Sequence, residues 1–498
     1  MTFLIKAAQL ILALSILVIV HELGHFGFAR LFKVRVNKFY LFFNPRFSIV
    51  RFKKIGGKWR VRWFAPNVPD STKQKYDEQG CAMCDAKGKP LFEPLSDDDL
   101  AALPDDDWRK YPESTEWGIG WLPFGGYCTI DGMVDETTDI GQLSNEPKPW
   151  EYRSRPAWQR LLIITGGVLM NFVAAIVIYA AMLGHWGKTE LPMQNAYLGY
   201  DYCATAQKYG FSNGDIIIAV DGDSVKFAHD AIDKILVEGK QNITLRRNGK
   251  DTLIVVPKDF AQQLLAAEEA SFFELRIPFV VQDVVSHSPA DSIGLQNGDS
   301  IIGLNGKNIF TYGDITRELA TLAGQRTDIT VVRNGQTMTD SIDIGTDSKL
   351  GVYLRSDLSA YFKYEHTQYG FFAAIPAGWE MMCDVLGSYV KQFRLVFTKE
   401  GAKSLGGFGA IGNLFPAMWD WAIFWNMTAF LSVILAFMNI LPIPILDGGY
   451  VLFLLYEIIF RRKPSDKFME ISLNIGFVLL LALLIYANGN DLYKLLFK

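Results

Sequence analysis

Four long apolar stretches constrain the fold of this chain more than any other feature. They carry few charges and occupy residues 3–20, 159–184, 423–460 and 469–487. A helix needs about 20 consecutive apolar residues to cross the hydrocarbon core of a bilayer, where every backbone group must be hydrogen-bonded within the protein. The pattern therefore predicts a multi-pass α-helical membrane protein with four transmembrane helices.

The bounds of these spans follow from what flanks each stretch. No small-residue cleavage site follows the first stretch, so it is predicted to be a retained span and not a secretory signal. The third stretch is too long for one straight crossing, and Pro442 and Pro444 interrupt it. Because proline breaks helical hydrogen bonding, we expect a bend there. The predicted membrane segments are residues 1–33, 159–186, 421–460 and 468–488.

Charge in the connecting loops predicts the orientation. Residues 26–65 contain eleven Lys or Arg and no Asp or Glu, and the short loop 461–467 is also basic. Basic loops favour the cytoplasmic side of a membrane, so the large 186–420 segment is predicted to lie outside together with both termini. The formal net charge of −4 gives no case for nucleic-acid binding.

Residues 34–158 are predicted to form a membrane-associated β region on the cytoplasmic side. Apolar and basic residues alternate along 34–64, on both sides of the turn Gly56-Gly57, which is typical of a β-hairpin. Its basic face would meet either anionic lipid headgroups or solvent.

An acidic insertion, residues 66–116, interrupts this region. It contains Cys81 and Cys84 in a C-x-x-C spacing, with no second pair of cysteines or histidines nearby. The two cysteines could form half a zinc site, a redox pair, or an incidental pair in an exposed loop, and the last is favoured.

The external segment contains an internal repeat. Residues 209–217 read YGFSNGDII and residues 294–302 read GLQNGDSII, and each copy continues to an Arg-Asn-Gly hairpin turn. The two copies, residues 190–260 and 276–346, resemble PDZ domains. That resemblance implies grooves that take peptide ligands by strand addition, although the pair could instead act as a size barrier.

The remainder of the external segment, residues 360–420, is predicted to contain an amphipathic helix. The run 368–398 is apolar and compatible with a helix, and it includes Trp379, Tyr389 and Phe393. It could lie in the membrane interface or pack as an ordinary helix.

Chemistry is concentrated in the sequence HELGH at the end of the first span. His21 and His25 are four residues apart, so a helix projects both imidazoles from one face, where they can bind one zinc ion. Glu22 follows the first histidine, and its carboxylate can take a proton from the water that zinc activates. The alternative is that these polar groups only join helices; however, ionisable residues in a span are costly and usually functional.

A catalytic zinc ion needs a third protein ligand. The remaining histidines fall in the external segment by the predicted topology, so a carboxylate from a span is expected. Asp447 is the strong candidate, because prolines precede it and glycines follow it in a segment that can line a cavity. Glu457 is the weaker candidate, nearer the cytoplasmic loop.

The combination of HELGH, the later motif NILPIPILDGG (439–449) and intervening PDZ repeats resembles the site-2 protease family of intramembrane metalloproteases. It looks most like the bacterial branch that cleaves membrane-anchored anti-sigma factors, in the cytoplasmic (inner) membrane, with extracytoplasmic PDZ domains. The resemblance implies zinc bound by His21, His25 and Asp447, with Glu22 as the base.

The same resemblance implies residues that hold the substrate. Asn439 would lie beside the site, and LPFGGY (122–127) resembles a family loop that re-enters the membrane, including Phe124, Gly125 and Gly126. Asn171 lies in a motif that resembles the family's G-P-x-x-N, but Val168 replaces the proline.

The expected function is hydrolysis of peptide bonds within transmembrane segments of single-span proteins, either anti-sigma-factor-like substrates or signal-peptide remnants. Two alternatives remain from the sequence. One is an inactive membrane-bound PDZ adaptor, and the other is a membrane-anchored zinc protease that acts on soluble substrates.

Overall fold

The structure is a computed structural model that describes residues 2–67, 72–74, 83–84, 92–133, 147–267, 269, 271–355, 358–398, 401 and 406–497. Cys81 lies outside the described residues. The chain forms two compact units. The first comprises Met1–Trp186, Tyr369–Tyr389 and Leu405–Lys498, and the second comprises Gly187–Gln368 and Val390–Ser404.

The helices, numbered along the whole chain, are α1 (Thr2–Leu31), α2 (Asp97–Ala102), α3 (Ala157–His185), α4 (Ala204–Lys208), α5 (Ala228–Ile232), α6 (Phe260–Ala266), α7 (Pro289–Ser292), α8 (Tyr312–Thr321), α9 (Phe371–Phe393), α10 (Phe408–Asn413), α11 (Trp421–Ile440), α12 (Asp447–Phe460) and α13 (Asp466–Phe497).

The strands of the first unit are β1 (Val36–Phe43), β2 (Phe47–Ile55), β3 (Lys58–Pro66), β4 (Thr72–Gln74), β5 (Phe92–Pro94), β6 (Glu116–Ile119) and β7 (Leu122–Ile130). Those of the second unit are β8 (Lys188–Glu190), β9 (Tyr200–Tyr202), β10 (Ile216–Val220), β11 (Asp223–Ser224), β12 (Asn242–Arg247), β13 (Lys250–Val255), β14 (Phe273–Leu275), β15 (Val281–Val284), β16 (Ser300–Leu304), β17 (Lys307–Asn308), β18 (Arg326–Arg333), β19 (Gln336–Asp343), β20 (Val352–Leu354) and β21 (Glu365–Thr367).

Within the described residues, four helices are long and apolar enough to cross a membrane: α1, α3, α11 and α13. The third apolar run of the sequence is divided between two helices. α11 ends at Ile440 and α12 begins at Asp447, with Pro442 and Pro444 in the connection. Proline has no N–H to continue a helix, so the break falls where the prolines are.

Glycines allow α1 and α3 to cross at close range. A Cβ added to Gly24 would collide with the backbone of Gly166, and one added to Gly166 would lie 2.7 Å from the Gly24 carbonyl oxygen. Close crossings through small residues are common where helices pack inside a membrane, because van der Waals contact drives that packing. This crossing brings the end of α1 against the first half of α3.

A five-stranded sheet follows α1 in the first unit. Its strand order is β3-β2-β6-β1-β7, in which β1 and β6 are parallel and the other pairs antiparallel. β2 and β3 form a hairpin that turns at Gly56 and Gly57. Within the ranges that the structure describes, β7 pairs only with β1, so it is an edge strand.

The end of the acidic segment packs on this sheet instead of lying exposed to solvent. Trp108 is buried, with the guanidinium groups of Arg51 and Arg62 at 4.8 and 5.0 Å from the centre of its ring. The Lys53 ammonium donates to the Trp108 carbonyl at 2.7 Å. The strand β6 then enters the middle of the sheet, so a non-local pairing joins this segment to β1 and β2.

The second unit contains two four-stranded sheets with the same internal order, β11-β10-β12-β13 and β17-β16-β18-β19. An equivalent buried ion pair fixes each copy. Arg247 contacts Asp215 at 2.7 Å, and Arg333 contacts Asp299 at 2.6 Å. In both copies the arginine also donates to the carbonyl of a glycine in the repeat motif. The internal repeat of the sequence is therefore also a structural repeat.

The helix α9 packs on a membrane-length helix over part of its length. A Cβ added to Gly378 would lie 2.7 Å from the Ala180 nitrogen of α3, and Met382 is buried in a cluster with Ala175 and Tyr179. The opposite side of α9 is apolar and exposed, as Phe372 and Trp379 show.

Candidate metal centre

Three potential metal ligands converge where α1 and α12 meet. The Nε2 atoms of His21 and His25 are 3.1 Å apart, and they lie 3.3 and 3.6 Å from Asp447 Oδ2. One ligand atom from each residue lies within 4.8 Å of the other two. The helical spacing of the histidines explains their shared face, and the break between α11 and α12 brings Asp447 to that face.

The connection before α12 is folded tightly enough to fix Asp447. A Cβ added to Gly448 would collide with the carbonyl oxygens of Ile440 and Leu441, so only glycine fits there. Ile445 has a φ of 89°, an unusual conformation for a β-branched residue. Such strain costs about 1–3 kcal/mol and concentrates at functional sites.

The helix α3 orients both imidazoles. His25 is buried, and its Nδ1 lies 2.9 Å from the carbonyl oxygen of Ile163. His21 Nδ1 lies 3.2 Å from the side-chain amide nitrogen of Asn171. A contact from the second ring nitrogen to an acceptor, as His25 makes with the Ile163 carbonyl, is characteristic of metal-binding histidines, because it fixes the ring that carries the ligand atom.

Gly167 forms the wall of this centre on α3. A Cβ at this position would lie 2.5 Å from His21 Cε1, 2.5 Å from His25 Nε2 and 2.7 Å from His21 Nε2. These separations are far below van der Waals contact, so any other residue would displace the two rings. The imidazoles therefore occupy a space that depends on the absence of a side chain at Gly167.

The donor set fits a zinc ion. Two imidazole nitrogens and one carboxylate are a common set of protein ligands in catalytic zinc sites, which keep a further position open for water. Asp447 Oδ2 is buried and accepts no hydrogen bond from any residue that the structure describes. A buried carboxylate oxygen without a donor is costly, and a cation bound between it and the imidazoles would remove that cost.

The other two carboxylates considered in the sequence lie in different settings. Glu22 is partly buried on α1, directly after His21. Glu457 forms an ion pair with the buried Arg160 of α3. Of the two candidates for a third ligand, only Asp447 lies beside the histidines.

The residues expected to hold substrate are spread over two elements. Asn439 is partly buried in the last turn of α11, and no hydrogen bond within the described ranges joins it to His21, His25 or Asp447. Asn171 is buried on α3 and lies beside His21, as described above.

The glycine-rich loop forms part of the edge strand β7. A Cβ added to Gly126 would lie 2.8 Å from Val18 Cγ1, and Val18 is three residues before His21 on α1. Gly125 has a φ of 135°, and a Cβ there would lie 2.9 Å from the ring of Phe43. Phe124 belongs to the same strand. The edge of the sheet therefore approaches α1 within one turn of the metal centre.

Sequence reasoning did not assign Gly167, Gly24 or the carbonyl of Ile163 to the centre. Their roles depend on how α1 crosses α3, which is a non-local property. The available signal was the occurrence of small residues in two apolar runs, at Gly24 and at Gly166-Gly167.

Comparison with known proteins identifies the family of this chain. The sequence model of peptidase family M50 matches residues 9–66 and 108–483, and the chain belongs to this family, the site-2 proteases. It is thus a zinc metalloprotease and an integral membrane protein. The unmatched residues 67–107 fall inside the segment predicted to be an insertion.

Curated relatives cover nearly the whole chain. The regulator of sigma E protease of Haemophilus influenzae is 25% identical, over 99% of this chain and 100% of the relative. A Rickettsia conorii protein that is named as a zinc metalloprotease is 25% identical, over 97% of this chain and 98% of the relative. Another from Mesorhizobium japonicum is 29% identical, over 76% and 85%. A solved PDZ domain from Listeria monocytogenes is 20% identical over 16% of this chain, with a TM-score of 0.15, too low to support a comparison.

Proposed function

We propose that this protein hydrolyses peptide bonds within the transmembrane segments of single-span membrane proteins, with His21, His25 and Asp447 as zinc ligands and Glu22 as the base. The observation that carries the proposal is the convergence of these three ligands at the end of a helix long enough to span a membrane. Anti-sigma-factor-like proteins are the favoured substrates, and signal-peptide remnants are a second class. The proposed location is the bacterial cytoplasmic membrane, with the second unit outside.

Each protein group has a distinct role in this chemistry. Bound zinc would supply Lewis acidity, which makes a water acidic enough to lose a proton near neutral pH. Glu22 accepts that proton as the water attacks the peptide carbonyl, and then donates it to the departing amine. The water is consumed, and the two products are a carboxylate and an amine.

The substrate must be extended before it can be cut, because a transmembrane helix shields its peptide bonds by hydrogen bonding. Among the residues that the structure describes, β7 is the terminal strand of its sheet, and such an edge offers backbone donors and acceptors to an extended segment. Gly126 keeps this strand close to α1, so the segment would pass near His21. Asn439, at the end of α11, is proposed to contact the substrate backbone.

The first PDZ copy has a groove that suits an apolar peptide. A cavity of about 360 Å³ lies between α5 and the strands β9 and β14, and its wall includes Tyr200, Phe227, His229, Ile232, Phe273 and Leu275. We propose either that this groove binds peptide or that the PDZ pair excludes substrates with large external domains. Equal rates for full-length and pre-trimmed substrates, with the pair intact, would exclude the second role.

The function is tested by co-expressing the chain with a single-span candidate protein. Wild type should release a fragment cut inside the membrane, and Glu22→Gln should slow this by about 10²–10⁴-fold, the usual contribution of a general base. Zinc should stay bound in Glu22→Gln and be lost in Asp447→Ala. Cleavage of soluble proteins instead, or cleavage by both variants at the parent rate, would contradict the proposal.

A further inference from the structure

His25 has a hydrogen-bond partner that fixes which of its ring nitrogens carries the proton. The carbonyl oxygen of Ile163 can only accept, so His25 Nδ1, at 2.9 Å, must donate. The lone pair of a neutral His25 then lies on Nε2, which faces His21 and Asp447. This is the tautomer that a metal ligand at Nε2 requires.

The partner of His21 is the side chain of Asn171, which is 1% exposed. Its Nδ2 lies 3.2 Å from His21 Nδ1, whereas its Oδ1 is buried without a hydrogen-bond partner among the residues described. If Nδ2 donates, His21 Nδ1 holds a lone pair and the proton of a neutral ring moves to Nε2. A protonated Nε2 cannot bind a metal ion.

The opposite orientation of the amide gives His21 the tautomer that a metal ligand needs. Turning the Asn171 amide over exchanges its oxygen and nitrogen, which have nearly the same shape. Oδ1 then accepts from His21 Nδ1–H, and His21 presents a lone pair at Nε2. The exchange moves the buried end of the amide without a partner from oxygen to nitrogen, so the choice of orientation rests on the tautomer that His21 needs as a ligand.

We propose that Asn171 is a positioning residue that sets the tautomer of His21 through Oδ1, as the Ile163 carbonyl does for His25. The inference rests on the proposed zinc ligands and adds to them a residue outside the ligand set. The main chain holds Asn171 in place, because Ser432 Oγ donates to its carbonyl oxygen at 2.7 Å. A change of its side chain should therefore alter the centre more than the packing of the helices.

The test compares Asn171→Leu and Asn171→Asp with Thr428→Val in the full-length, detergent-solubilised protein. Leucine has a similar size but cannot accept, whereas aspartate can accept and, when ionised, cannot donate. Thr428 is a matched control, because it is equally buried but donates only to Phe424 in its own helix. The zinc dissociation constant is measured by competition with a chelator, and thermal unfolding is followed without metal.

Asn171→Leu should weaken zinc binding about 10–100-fold, the usual effect of losing a hydrogen bond to a ligand, with metal-free unfolding unchanged. Asn171→Asp and Thr428→Val should bind zinc with an affinity close to or above that of the parent. In ¹⁵N-histidine-labelled, zinc-loaded protein, the His21 Nδ1–H signal should exchange slowly with water in the parent and faster in Asn171→Leu. This signal separates the hydrogen bond from the effect of the charge in Asn171→Asp.

Parent affinity in Asn171→Leu would overturn the inference, and so would weak binding by Asn171→Asp or a His21 Nδ1 without a proton. If Asn171→Leu does not fold, the zinc affinity of Asn171→Asp and the His21 Nδ1–H signal of the parent still test the inference. Failure of the proposed ligand set has a different result, since the parent would then bind zinc no better than Asp447→Ala.

Discussion

Replacing Gly167 by alanine should disable the metal centre without disrupting the fold. The new methyl group would lie 2.5 Å from both His21 Cε1 and His25 Nε2. Ordinary carbon contacts are about 3.5–4.0 Å, so the rings would have to retreat by about 1 Å. Zinc–nitrogen bonds are about 2.0–2.1 Å long, and a retreat of that size breaks the coordination geometry.

The expected loss of cleavage is at least about 10²-fold, since a 1 Å misplacement in an active site commonly costs this much. Zinc affinity should fall with it. The helix itself should tolerate the change, because alanine is about 1 kcal/mol more favourable than glycine within a helix. Displacing the two rings costs about 1–3 kcal/mol, which offsets that gain, so stability should change little while activity is lost.

Gly184→Ala is the matched control on the same helix. Among the described residues, the nearest atom to a Cβ there is Ala374 Cβ, at 3.8 Å, which is an ordinary contact. The assay measures zinc content, cleavage of a co-expressed single-span substrate, and thermal unfolding of the metal-free proteins. If Gly167→Ala binds zinc and cleaves as the parent does, the rings do not act from the positions described here.

The remaining predictions concern charged pairs. Glu457→Gln should retain zinc by metal analysis, whereas Asp447→Asn should weaken binding at least tenfold, about 1.4 kcal/mol; zinc loss in the first variant would reinstate Glu457 as a ligand. Arg333→Met should lower the thermal midpoint of the second unit more than Lys307→Met, because Arg333 is 24% exposed and its partner Asp299 fully buried, whereas Lys307 is 64% exposed and its partner Glu318 10%; equal midpoints would refute this. The hydrogen bond from Arg333 lowers the pKa of Asp299. The stabilisation from this ion pair should therefore be complete above the ordinary aspartate pKa of about 4 and disappear as the pH falls towards the lowered value. In Arg333→Met, the free energy of unfolding should therefore fall less over this pH range than it does in the parent.

The local part of the metal centre could be predicted from the sequence, because it depends on helical spacing. His21 and His25 share a face on any α-helix, and an Asp-Gly-Gly after two prolines marks a helix start inside an apolar run. The arrival of Asp447 at the histidines was a prediction that rested on a bend after the Asp-Gly-Gly turn or on an oblique last helix. The structure instead breaks the helix before Asp447, between α11 and α12, with Ile445 in a conformation that no residue preference would suggest.

The non-local part could not be predicted. Which strand lies beside β1 depends on pairing between residues far apart in sequence, so the parallel partner β6 had no local signal. The position of Asn171 was predicted to be near the substrate, yet its amide lies on His21, because the crossing of α1 and α3 decides what it faces. Such contacts follow from tertiary packing.

The order of the three ligands along the chain has a consequence for biosynthesis. Both imidazoles are synthesised before the second unit, whereas the carboxylate at residue 447 is synthesised only after it. A nascent chain that has not reached residue 447 therefore has only two of the three proposed ligands. The proposed zinc site can form only once the whole second unit has left the ribosome.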